Sequence, residues 1–373
     1  MYKKQNPYFY LLIALFISFS CSNPSELDEG LVDNFDRKLI LENVTDNIIL
    51  PAFEDFTEKL VAFDQSVTLF ADTQNLEHLE AVQARWVEAY KVWQHIEMFN
   101  ILKAEELYFM QKMNTYPASI SKIENNIATY EFDLESNNNN WVAQGFPALD
   151  YLLFGLAEDT QNTLLFYQND DNTAYLNYVV EVVSQMVNIT EIVHQDWKAS
   201  RDVFVSSSEN SATSSLNLLT NDFVFYFEKG LRTNKFGIPA GVFSANNARA
   251  VNVEAYHNAT IAKTLSLEAV SAVFKFFRGQ HYASNNSGGG ASLESYLIYM
   301  TETNELSALV LSKFNESRQL ITALDENFEA QINSNKEQMV TVFDKLQEGV
   351  VLLKTDMLSV LSIAVDYIDA DGD

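Results

Sequence analysis

Apolar positions recur along this chain mostly at helical spacing. Leu76, Leu79, Val82, Trp86, Ala89, Trp93 and Ile96 step by three or four residues, and so do Leu176, Val179, Val183, Met186, Thr190, Val193 and Trp197. The last series is the longest: Met339, Phe343, Leu346, Val350, Leu353, Met357, Val360, Ala364 and Tyr367 alternate four and three without a break. Each series lays an apolar stripe along one face of a helix. Further helices are expected near residues 35–70, 212–230, 247–278 and 303–331; the third would run about 48 Å at ~1.5 Å per residue. No segment sustains the period-two alternation of a strand, so the fold class is all-α. The stripes are rich in aromatics and interrupted by loops, which suits a globular bundle better than a filament.

Breakers mark the joins: Asn114–Pro117, Ser136–Asn140, Gly145–Pro147, Ser206–Ser215, Gly230–Gly241 and Ser284–Gly290. The polar run Ser206–Ser215 divides the chain into two helical-bundle halves, 34–205 and 206–373. Gly145-Phe146-Pro147-Ala148 and Gly237-Ile238-Pro239-Ala240 echo one another, one in each half.

The N-terminus reads differently. Lys3 and Lys4 precede an apolar run, Tyr8–Phe19, that is shorter than the ~20 residues needed to cross a bilayer. It ends in Ser18-Phe19-Ser20-Cys21, similar to a bacterial lipobox, and Cys21 is the one cysteine of the chain. An internal disulfide is therefore excluded. The expectation is a signal peptide over 1–20, a lipidated Cys21 with a tether over 21–33, and a chain held on the bacterial envelope, most simply the outer membrane, by its lipid. Without Lys3 and Lys4 the 24 Lys and Arg fall to 22 against 51 Asp and Glu, a net charge of about −29. That field disfavours nucleic acid and anionic lipid as partners.

Few residues point to chemistry. Trp86, Tyr90, Trp93 and Glu97 share a helix face, and a carboxylate on an aromatic face must find a partner or stay near water. The alternative for Glu97 is a helix-end carboxylate paired with a Lys or Arg. Glu191-x-x-His194 and Glu254-x-x-His257 each place an acid and an imidazole on one face of an expected helix. Two such pairs, with two further glutamates, can build a carboxylate-bridged dimetal site. The plainer reading of His194 is a hydrogen-bonded histidine beside its apolar stripe. There is no His-Glu-x-x-His, phosphate loop or Gly-x-Ser-x-Gly elbow. The tail Asp366–Asp373 is similar to a calcium loop but lacks the downstream Glu.

In order and spacing, several segments together resemble the imelysin family, described as insulin-cleaving metallopeptidase-like proteins. They are Ile49–Leu60, the set Trp86, Trp93, Glu97 and Phe99, Asn114-Thr115-Tyr116-Pro117, Gly145–Gly155, Lys235–Gly241 and Val253–Tyr256. The resemblance implies two helical bundles with a cleft between them. Its signature is Gly-x-His-x-x-Glu; here Gly145 matches, Pro147 replaces the His, and Asp150 replaces the Glu. Proline offers a metal no ligand. The expectation is thus a protein that binds a ligand, a metal or an envelope partner without peptidase activity, and the resemblance implies a link to iron uptake. Its cleft would be formed by Gly145, Pro147, Asp150, Glu97, Gly237, Pro239 and Glu254. No cofactor is required by the sequence. Two alternatives stand beside it: a metallopeptidase or dimetal protein holding iron or zinc through Glu191, His194, Glu254 and His257, and a structural cell-surface protein.

Overall fold

The computed structural model describes residues 33–282 and 288–366. The expected signal peptide, Cys21 and its tether lie outside the described residues, as do Ser284–Asn286 and the tail from Tyr367. The fold below is that of the unit Asp36–Asp373.

Seven helices supply most of the core. They are α1 (Leu50–Asp72), α2 (Leu76–Trp93), α3 (Thr173–Ser206), α4 (Ser215–Phe225), α5 (Ala262–Arg278), α6 (Glu305–Thr322) and α7 (Glu337–Val351). Among the described residues no strand forms; Gln280 and Gly289 make an isolated bridge. The fold is all-α, as the periodicity implies. No helix among the described residues is long and apolar enough to cross a membrane.

The stripes pack as expected. α1 lies against both α2 and α3, burying Phe53, Phe56, Leu60, Phe63, Val67 and Phe70 on one side. α7 packs on α6 and on the segment Tyr226–Gly237, and α5 touches both α6 and α2. Asn75 caps α2 by accepting from the His78 amide at 2.9 Å, which satisfies one of the first-turn donors.

Several expectations are corrected. The helix expected near 247–278 begins only at Ala262; before it, Ala255 has φ +56° and Glu254–Thr260 form turns. The Glu254-x-x-His257 pair therefore does not sit on a helix. The breakers Gly145–Pro147 and Gly230–Gly241 are mostly helical: Gly145–Asp150 forms a short helix, and Tyr226–Gly237 winds as wide π-helical turns before Ile238–Ala240. Gly241, at φ +85°, ends that run. The two Gly-x-Pro-Ala echoes differ in backbone, since Gly145 has φ +70° and Gly237 φ −63°. Finally, the last helix stops at Val360, so Ala364 is non-helical. The helix expected over 303–331 breaks after Thr322 and restarts at Phe328, capped by Asn327.

Candidate functional site

Glu97 lies one turn beyond the end of α2, its amide bonded to the Trp93 carbonyl at 3.0 Å. Asn114 ends the short helix Phe109–Asn114. Its side-chain amide donates to Oε1 of Glu97 and to Oε1 of Glu254, both at 2.9 Å. One amide thus bridges two carboxylates that lie far apart in the sequence. Glu254 Oε1 also accepts from Gln94 at 3.1 Å. On its other oxygen it pairs with Lys235, which in turn donates to Gln94 Oε1 at 2.7 Å. Lys235 and Glu254 are 1% and 3% exposed at the side chain.

Aromatic rings close the cluster. The Tyr90 hydroxyl donates to Asn114 Oδ1 at 2.5 Å, and the Tyr90 ring stacks on Phe146 at 4.2 Å and 2°. Burial, then Glu254, keeps the Tyr90 phenol well above its ordinary range; burial, then Glu97, does the same for Tyr226. Both stay protonated. Burial pushes the Glu97 carboxyl up; Lys235 pulls it down, Glu254 pushes it up again, and Asn114 lowers it, with a net rise. Two carboxylates face one ammonium here, and Glu97 holds its proton to a higher pH than a free glutamate does.

The signature segment positions this cluster without joining it. A side chain on Gly145 would bring its Cβ within 2.3 Å of the Met113 carbonyl oxygen and 2.5 Å of that of Lys112. The bare backbone of Gly145 therefore lets the helix carrying Asn114 come close, and its positive φ is one that glycine adopts without strain. Pro147 is buried in the short helix and supplies packing. Asp150 accepts from the backbone amides of His257 at 2.7 Å and Asn258 at 2.8 Å, which pins the loop that carries Glu254. Burial pushes the Asp150 carboxyl up to about 7, against the pull of those two hydrogen bonds. These bonds also explain why no helix forms over 254–258: Asp150 claims amides that a helix would need. Wide π-helical turns, common near functional sites, follow Asp150 at Tyr151–Gly155 and carry Lys235.

The other sequence candidates fall elsewhere. Gly237 packs so that a Cβ would meet Phe243 and Phe343 at 2.8 Å, and the Pro239 carbonyl accepts from Arg249 at 2.9 Å. Both brace the end of the Lys235 segment. His194 is buried beside Phe53; the Thr57 hydroxyl donates to the Phe53 carbonyl, so its oxygen accepts from His194 Nδ1 at 3.0 Å. Burial lowers the His194 pKa, which favours the neutral ring. Glu191 is exposed and lines a groove with His194, Glu54 and Lys198. His257 instead packs its ring over Gly155 and 5.5 Å from Tyr151. The proposed quartet of Glu191, His194, Glu254 and His257 thus has no common centre. Among the described residues no group of three or more His, Cys, Asp or Glu is placed to hold a metal ion.

That geometry tests the metal a peptidase of this kind implies. Pro147 has no donor, and Asp150 belongs to no group of three or more metal-ligating side chains among the described residues, so these residues do not fit a catalytic metal. Sequence reasoning named Glu97, Glu254 and Asp150 but passed over Asn114, Gln94 and Lys235 as site residues. Asn114 and Lys235 do lie in segments that resemble the family; Gln94 carried no signal.

The imelysin family model matches residues 49–356, and the chain belongs to the imelysin family. No curated protein matches its sequence. Two solved structures share its fold. One is described as an iron-regulated protein A precursor from Parabacteroides distasonis ATCC 8503, with a TM-score of 0.68 and 15% identity over 88% of this chain and 95% of that one. The other is an imelysin-like protein from Psychrobacter arcticum 273-4, with a TM-score of 0.67 and 16% identity over 89% and 97%.

Proposed function

We propose that this protein is a ligand- or partner-binding lipoprotein of the bacterial cell envelope, anchored through Cys21, that serves iron uptake without peptide hydrolysis. The cluster of Glu97, Asn114, Glu254 and Lys235 carries the reading. Buried ion networks rarely add stability over an apolar core, and polar features that strain a fold concentrate where it works. With two carboxylates against one ammonium, the cluster favours a cationic group on the ligand, which would displace the raised proton of Glu97. The link to iron rests on the fold shared with the iron-regulated protein A precursor. The lipid anchor rests on the Cys21 segment alone.

Glu97→Gln separates binding from folding, because glutamine mimics the protonated acid and still accepts from Asn114. In the native host, deletion of the gene should slow growth under iron limitation. The wild-type gene should restore growth, and Glu97→Gln, at equal abundance, should not. Normal growth of the deletion strain without iron, or full rescue by Glu97→Gln, would overturn the reading.

A further inference from the structure

His95 sits between Gln94 and Glu97 yet meets none of their partners. It lines a separate cavity of about 320 Å³ with Lys59 of α1, Glu88 and Lys91 of α2, Glu268 of α5, and Tyr282. The walls therefore come from helices far apart in the sequence. His95 Nε2 lies 3.0 Å from Glu268 Oε2, and Lys91 Nζ lies 3.9 Å from Oε1. Lys275, whose ammonium donates to the Tyr282 carbonyl at 3.1 Å, adds a second lysine near Glu268.

The remaining acids here have partners of their own. Glu88 pairs with Arg85 at 2.7 Å, and Asp55 accepts the Tyr282 hydroxyl. Lys59 makes no ion pair among the described residues. Glu268 alone is thus shared by His95, Lys91 and Lys275, with Lys59 unclaimed beside them. The chain as a whole carries −27, which opposes an anion at long range. At ~0.1 M salt the screening length is about 10 Å, so groups lining the cavity outweigh acids farther away.

We propose that this cavity binds a small oxyanion of two or more charges, whose carboxylate or phosphate oxygens take the place of Glu268 at Lys91 and His95 and engage Lys59. Glu268 then acts as an internal competitor that the ligand displaces. The site is independent of the Glu97–Glu254 cluster and stands whether or not that cluster binds a cation.

Calorimetry on the purified full-length protein, with citrate and inorganic phosphate as probes at ~0.1 M salt, tests it. Saturable one-to-one binding of either probe is expected, and the better probe identifies the oxyanion class. The double variant Lys59→Gln/Lys91→Gln, which changes half-exposed side chains, should weaken that binding at least tenfold. Glu268→Gln should tighten it severalfold by removing the competitor, while binding stays saturable and one-to-one. No saturable binding of either probe, unchanged affinity in the lysine variant, or affinity that fails to rise in Glu268→Gln overturns the proposal.

Discussion

Lys235→Met should cost about 3–5 kcal/mol of folding stability, the range for stripping one partner from a buried ion pair. The substitution keeps the volume of the side chain and removes its charge. Glu254 would remain 3% exposed, with two amide donors from Asn114 and Gln94 but no counter-charge. Gln94 would lose its contact with the ammonium as well. Adding Glu254→Gln should recover most of the loss, because the glutamine oxygen still accepts from those amides and carries no charge. Denaturant unfolding of the wild type, both single variants and the double variant measures this. A double variant no more stable than Lys235→Met would show that the ammonium acts through packing rather than through its charge on Glu254.

Asp150→Ala should destabilise the fold by about 3 kcal/mol, since it leaves the His257 and Asn258 amides without their acceptor. The pH dependence is the sharper signature. The Asp150 pKa in the fold, about 7, lies above its unfolded value near 4, so the folded chain holds this proton more tightly. Its contribution is therefore greatest below pH ~4 and is lost as pH rises to ~7, by at most about 4 kcal/mol at ~1.4 kcal/mol per unit. Asp150→Asn removes that share of the slope. Glu97 and Asp222, both raised by burial, contribute in the same direction and would remain. Thermal melts at pH 4.5, 5.5 and 6.5 should show the wild type losing stability faster than Asp150→Asn; parallel curves would refute the assignment.

How far the sequence led differs between fold and site. Stripes such as Leu176 to Trp197 announced their helices because burial of one face repeats every three to four residues, and α3 covers that series. The boundaries misread were those set by distant contacts. Nothing local says that Gly230 lies in a π-helical turn, where its bare Cα faces the Tyr226 ring, or that Asp150 will claim the amides of residues more than a hundred positions away. The same holds for the site. Glu97 stood out as a carboxylate beside aromatics and Glu254 through its Glu-x-x-His spacing and family-like segment, but their meeting on Asn114 depends on the approach that Gly145 permits. Local pairing rules also suggested that Glu191 and His194, or Glu254 and His257, act together. The first pair lines an open groove and the second lies in a loop, where three-residue spacing no longer implies a shared face.

In this chain the signature segment serves as a scaffold: Gly145 admits Asn114, Pro147 packs, and Asp150 fixes the Glu254 loop. The most direct test is insulin B-chain cleavage by the purified protein, with zinc or iron added and then removed by chelator, alongside elemental analysis. A scaffold role for these three residues predicts no stoichiometric metal and no cleavage under any of these conditions. One equivalent of zinc or iron per chain, with chelator-sensitive cleavage lost in Asp150→Asn, would contradict it.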